Sequence, residues 1–442
     1  MANEIVEKVQ AAGVVGAGGA GFPTQVKINA TVDVIIANGA ECEPLLRAHQ
    51  LLMAAESEKI FLGMQAVMAA TGAKSAYIGL KRKYYDAVRN LQAVIDRSGD
   101  SRIQLYFLPD FYPAGDEHAL LHEVTGRIVP EGGIPLNVGV IVINVETLLN
   151  VAQAMVDTPV TEKYLTVGGA VRQPITLKVP LGMKISQLIE LAGGANVSEY
   201  GLVDGGPMMG KIISGDDVVT KTTGGILVLP KDHPVITNKN MPWQVVINRA
   251  RAVCCNCRAC TDNCPRNLLG HSLEPHRIMQ AVGSGAGADS GAVTTAFLCS
   301  ECGACDTFGC TMGLSPRRVN MELKRQMAKA GIKNPHHEKP LKARANREFR
   351  RIPTKRIVAR LGLMAYDVEA PLSDKKVEPQ EVRLPLVQHI GAPAQPVVKT
   401  GDVVQAGDLI ARIPEGTVVG ANLHASISGT VFAVENYIGI RR

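Results

Sequence analysis

The sequence predicts an α/β chain of several domains, opening with a parallel-sheet nucleotide-type domain and closing with an all-β tail. Three observations carry this. Apolar runs alternate with amphipathic stretches over the first 160 residues, two tight cysteine motifs lie between 254 and 310, and turn signals recur every several residues after 384.

In the first region the apolar runs are VDVIIA at 32–37, SAYIGL at 75–80, IQLYFL at 103–108 and GVIVINV at 139–145, with amphipathic stretches at 45–70 and 84–97 between them. Strands buried on both faces read as continuous apolar runs, and the helical crossovers between them imply parallel pairing. Residues 1–160 are therefore expected to form one domain. Residues 161–240 break this rhythm with YLTVGGAV, PITLKVP and KISQLIELAGG, two short strands and a helix that fit a β-grasp module. Residues 241–335 hold the cysteines, interrupted by GSGAGADSGA at 283–292, which reads as a flexible loop. Residues 336–383 form a basic connector, with nine Lys or Arg against one acid between Lys339 and Arg360. Phe349 is the one aromatic among these basic residues, too few for a base-stacking surface, so the segment reads as a solvated connector covering acidic surface rather than a nucleic-acid site. The tail, 384–442, has the turn rhythm of a barrel-sandwich β module, and no Lys follows Lys399 to serve as a carrier arm.

The chain has 442 residues and a formal charge of +6, with 46% hydrophobic and 20% charged residues, which excludes a disordered or fibrous protein. No apolar run approaches the ~18 residues that cross a bilayer, and Met1–Lys8 lacks the pattern of a secretory leader. A soluble, unexported protein without an integral membrane segment is expected.

Cys254, Cys257, Cys260 and Cys264, followed by Pro265, match C-x2-C-x2-C-x3-C-P. Cys299, Cys302, Cys305 and Cys310 repeat the motif with one extra residue before the last cysteine. In such pairs three thiolates hold one 4Fe-4S cluster and the fourth reaches the other. One cluster would then take Cys254, Cys257, Cys260 and Cys310, and the second Cys299, Cys302, Cys305 and Cys264. Zinc or structural thiols are the alternative, against which the third cysteine of each C-x2-C-x2-C run argues. Cys255 is unassigned, and Cys42 reads as a buried spacer.

Near the N-terminus, VVGAGGAGFPTQVK places Gly16, Gly18, Gly19 and Gly21 where backbone can approach a phosphate, with Lys27 adding charge; tight backbone packing is the alternative. Asn38, Glu41 and Glu43 follow the first strand, Asp116 and Glu117 a later one, and Asn144, Glu146 and Thr147 the last. They converge on the carboxyl edge of the sheet, where open α/β proteins bind ligands. Asp116 as a helix N-cap and Thr147 as a capping hydroxyl are the structural alternatives.

GAGGAGFPT with Lys27, NGAECEP, YPAGDEHAL and INVETL resemble the flavin-bearing, NADH-oxidising subunit of respiratory complex I. The domain order resembles the peripheral subunit of the Rnf complex. With the C-terminal QHIGAPAQPVVKTGD included, nearly the whole chain is similar to the cobalamin reductases of propanediol-utilisation microcompartments. That resemblance implies non-covalent FMN, NADH as hydride donor and two 4Fe-4S clusters in a ferredoxin-like α domain. Gly18, Gly19, Gly21 and Lys27 would hold the phosphate, with Phe22 as a stacking ring. Asn38 and Glu41 would meet the flavin edge or ribityl chain, Asn144 with Thr147 would close the phosphate or ring pocket, Asp116 is a further cofactor-binding candidate, and Glu117 would face the nicotinamide. Glu117 and Glu41 are the catalytic candidates. Implied partners are a corrinoid or corrinoid-binding protein and microcompartment shell or enzyme proteins, in the cytoplasm or inside such a compartment. An Rnf-like electron-transport protein, or a relay protein without a donor site, is the alternative. Ile28 stands after Lys27 where complex I-like chains carry an aromatic.

Overall fold

The computed structural model describes residues 2–284, 290–339 and 342–442. Four strands form the expected parallel sheet: β1 (Val34–Gly39), β2 (Ser75–Lys81), β3 (Ile103–Leu108) and, after a short β4 (Phe111–Tyr112), β5 (Val140–Asn144), in the order β3-β2-β1-β5. Successive side chains of a strand point to opposite faces. Ile35, Ala37, Ile141 and Ile143 therefore face one layer, with α1 (Ala2–Ala11), α2 (Thr24–Ile28), α3 (Ala48–Ala55), α4 (Ser57–Thr71), α5 (Tyr85–Ser98) and the helix after β5. Val34, Ile36, Val140 and Val142 face the other, against α6 (Glu117–Thr125). Covered on both sides, the strands have the continuous apolar runs that the sequence displays.

The chain crosses from β1 to β2 and β3 on one side, then returns to place β5 on the other. The switch point thus lies between the carboxyl ends of β1 and β5, where Asn38 and Asn144 are register partners. Helix α7 (Val145–Met155) starts there.

The second module is a five-stranded mixed sheet of β6 (Glu162–Gly169), β7 (Ile175–Pro180), β8 (Tyr200–Asp204), β9 (Lys211–Ile213) and β10 (Gly225–Pro230), with α8 (Ile185–Leu191) across it. The cysteine region is helical. Of the glycine-rich stretch expected as a loop at 283–292, residues 285–289 lie outside the described residues, and the flanking segments Pro275–Ser284 and Ser290–Thr294 are helical.

The basic connector does more than bathe in solvent. Ile352–Pro353 pairs antiparallel with β4. Arg347 is buried and bonds Glu123 at 2.6 Å, which Arg351 also reaches at 2.7 Å. The tail forms a four-stranded and a three-stranded antiparallel sheet whose Val382, Leu384, Ile410 and Ile440 join the same apolar core as the first domain. Gln25 Nε2 donates to Gly420 O at 2.7 Å, and buried Lys221 Nζ donates to both Gly13 O (2.6 Å) and Asn422 O (2.7 Å). The tail thus underpins the glycine loop from below. No helix among the described residues is long and apolar enough to cross a membrane.

Candidate functional site

The glycine loop lies directly above the switch point. Ala17 N donates to Thr147 Oγ1 at 2.9 Å, while Lys163 Nζ donates to Ala17 O at 3.1 Å, so one residue of the loop is held at both backbone groups. A Cβ at Gly18 would collide with Asn144 Nδ2, whereas a Cβ at Gly19 would meet nothing within 4 Å. Gly18, Gly19 and Ala20 are exposed. Gly18 thus permits close packing on the strand end, and Gly19 presents open backbone to the crevice, as a phosphate cradle requires. Gly21 serves the scaffold instead: its φ is +70° and its Cβ position faces Thr222 and the backbone of Gln388 and His389. Exposed Phe22 and half-buried Lys27 flank the opening, and Lys27 Nζ pairs with Glu117 Oε1 at 3.0 Å. These residues fit an anionic cofactor at this edge.

Several carboxylates expected at the cofactor have other partners. Glu41, at φ +35°, turns its carboxylate beneath α3 to accept from His49 N (2.8 Å) and Gln50 N (3.0 Å), and its side chain is only 3% exposed. A helix N-terminus attracts a carboxylate, so Glu41 shapes the turn rather than lining the crevice. Glu43 accepts from Met208 N and Met209 N, tying the turn to the second module. Asp116 caps α6 by accepting from His118 N and Ala119 N, both at 3.1 Å, and pairs in fork geometry with Arg266. Burial works to raise the Asp116 carboxyl, but the Arg266 guanidinium outweighs it and holds it below the usual range. Asn38 bridges two turns, donating to Gly115 O and accepting from Ala40 N. Asn144 caps α7, accepting from Glu146 N at 2.8 Å. The two remain side by side at the switch point.

Sequence reasoning missed the buried layer beneath. Glu146 accepts from Lys163 and from Tyr164 N (2.9 Å), and His49 lies 3.9 Å from Glu146 and 3.4 Å from Asn144 Nδ2. Burial, reinforced by the Lys163 charge, pushes the His49 imidazole down to about 3, so it stays neutral. Only the adjacency of Glu146 to Asn144 hinted at this layer.

The cysteines gather in two tetrads. Cys254, Cys257, Cys260 and Cys310 line one recess, and Cys264, Cys299, Cys302 and Cys305 line another. Each set takes its fourth member from the other motif. The extra residue of the second motif is absorbed by a π-helical turn over Cys305–Gly309, closed by Cys310 N donating to Cys305 O at 2.7 Å. A single inserted residue is what a π-turn accommodates. Among the described residues no three His, Cys, Asp or Glu converge to hold a single metal ion; the thiols ring volumes instead. Burial pushes the Cys260 and Cys264 thiols up to about 12, so thiolates there need the positive charge of a metal core. The donor set fits iron–sulfur clusters.

Comparison with known proteins agrees with this layout. The chain matches the Nuo51 FMN-binding domain over residues 9–153, an SLBB domain over 164–211, a 4Fe-4S dicluster domain over 253–315 and the RnfC barrel sandwich hybrid domain over 368–441. It is 45% identical to the cobalamin reductase PduS of Salmonella typhimurium, covering 98% of this chain and 95% of that one. The chain belongs to the PduS cobalamin reductase family. The PduS of Citrobacter freundii is also 45% identical, over 97% and 94% of the two chains. One component of the Na+-translocating ferredoxin:NAD+ oxidoreductase complex of Acetobacterium woodii is 36% identical over 60% of this chain and 59% of its own. An NAD+-reducing NiFe-hydrogenase in the air-oxidized state shares the fold, with a TM-score of 0.50, 22% identity and coverage of 83% of this chain and 66% of that one. This PduS-family chain is a flavin and iron–sulfur oxidoreductase.

Proposed function

We propose that the protein passes electrons from NADH, through FMN and two 4Fe-4S clusters, to a corrinoid held in solution or by a partner protein. The observation that carries this reading is the interleaving of the two thiol tetrads, which ties both cysteine motifs into one unit beside the flavin domain. FMN supplies the conversion between two-electron hydride chemistry and one-electron transfer. Gly18, Gly19 and Lys27 bind its phosphate, Thr147 and Lys163 hold the loop that presents those groups, and Asn38 and Asn144 form the floor. Phe22 shields the mouth, and Glu117, released from Lys27, faces the nicotinamide. Glu41 and Asp116 position these elements through the helix ends they cap. The names of the PduS relatives support a corrinoid acceptor, and that kinship supports a cytoplasmic site with microcompartment proteins as neighbours.

The test is oxygen-free purification followed by iron, sulfide and flavin analysis, then NADH and a cob(II)alamin or cob(III)alamin added in turn. Flavin bleaching by NADH and subsequent corrinoid reduction are expected. Zinc in place of iron, or a flavin that NADH leaves yellow, overturns the reading.

A further inference from the structure

The two thiol tetrads are not equivalent in their surroundings. Tyr112 is buried in a small apolar cluster with Cys302, Met208, Ala304, Ile352 and Ile357. Its Oη donates to Cys302 O at 2.5 Å. Tyr112 immediately precedes the turn that carries Gly115 and Asp116. Cys42, from the turn after β1, packs on the same cluster, and its Sγ is 3.3 Å from where a Gly115 Cβ would stand. Both turns at the carboxyl edge of the flavin-domain sheet therefore converge on Cys302. Arg266, two residues after Cys264, makes a second bridge to that edge through Asp116. Cys264, Cys302 and Cys305 are each 7% exposed. Cys299, the fourth of that set, is half-buried; in the other tetrad Cys260 is buried, Cys254 and Cys310 are half-buried and Cys257 is exposed, with exposed Cys255, Asn256, Arg258 and Met312 on the rim of the recess.

We infer that the Tyr112–Cys302 junction is where electrons enter the cysteine domain, and that the Cys257 edge is where they leave it. Tunnelling decays steeply with distance, and a buried, hydrogen-bonded junction gives a packed route from the flavin domain. An exposed edge lets an external acceptor approach. The balance closes: NADH gives up a hydride and becomes NAD+, its two electrons cross Tyr112–Cys302 one at a time, the proton goes to solvent, and each of two one-electron acceptors takes one electron. Tyr112 is a positioning residue here, acting through Cys302. The inference rests on the proposed function and adds the direction of flow within it.

The test uses full-length, cluster-loaded protein and freeze-quenched EPR, with iron content measured alongside. In Cys257→Ser, NADH should raise the remaining cluster signal at least tenfold faster than in the Cys302→Ser variant. In Cys302→Ser, the remaining signal should rise at least tenfold more slowly with NADH, while dithionite raises it fully. Equal rates in the two variants, or the reverse order, overturn the inference. Should either serine variant lose both signals even with dithionite, Tyr112→Phe decides: cluster content intact and the first signal slowed at least threefold supports the junction, and an unchanged rate overturns it. If NADH fails to bleach the flavin of the unaltered protein, the donor assignment falls, and photoreduction of the flavin tests the same order without NADH.

Discussion

Arg266 forms a buried, two-pronged ion pair with Asp116, the side chains being 9% and 10% exposed, and so joins the residue after the Cys264-Pro265 step to the N-cap of α6. Removing one partner strands the other charge away from water. Arg266→Met or Asp116→Ala alone should cost about 3–5 kcal/mol. The double variant should lose clearly less than the sum of the two, as a denaturant-unfolding double-mutant cycle would show.

Gly19 and Gly21 should separate site from scaffold. Gly19→Glu has open space for its side chain but puts a carboxylate where a phosphate would sit, so flavin content should fall to near zero with iron unchanged. Normal flavin stoichiometry would refute the loop assignment. Gly21→Ala should instead lower the melting temperature, because φ is +70° and Thr222 and the Gln388–His389 backbone crowd the site.

The π-turn predicts the outcome of a one-residue deletion. Removing Thr307 restores the shorter spacing of the first motif but drags Gly309, which lies against Cys260, and with it Cys310 out of place. Iron and sulfide should drop by about half, since one tetrad loses its fourth thiol. Full iron content would show that the turn is not needed.

Stability should fall on acidification through two histidines that the fold holds neutral. Burial holds His49 at about 3 and His424 at about 4, each also lowered by a nearby lysine. The unfolded chain takes up these protons near 6.5, the folded chain only well below. Stability is therefore full above about pH 6.5 and is lost as pH falls toward 3. His49→Gln should flatten the dependence of the urea midpoint on pH between 7 and 5 relative to the parent, and an unchanged slope would remove His49 from this account.

The sheet and its flanking helices are legible because buried strands leave apolar runs in the sequence, and Asn38 and Asn144 because they end two of those runs. The tetrads are legible through spacing. The partners of Glu41, Asp116, Glu146 and Tyr112 are not: Tyr112 meets Cys302 across 190 residues and Asp116 meets Arg266 across 150, and such pairings leave no local pattern. A carboxylate after a strand reads the same whether it faces a ligand or caps a neighbouring helix, which is why sequence alone places Glu41 and Asp116 at the cofactor. Lys163 is hidden for the same reason, being an ordinary strand residue until Glu146 is seen beside it.

Lys221 grips Gly13 on one side and Asn422 on the other, with Gln25 fastened to Gly420 close by. The last sixty residues are therefore a keystone under the cofactor loop, not an appendage. A chain ended before Glu381 would leave an ammonium group in the interior with half its acceptors gone, and its flavin affinity would report that injury rather than the properties of the amino-terminal domain.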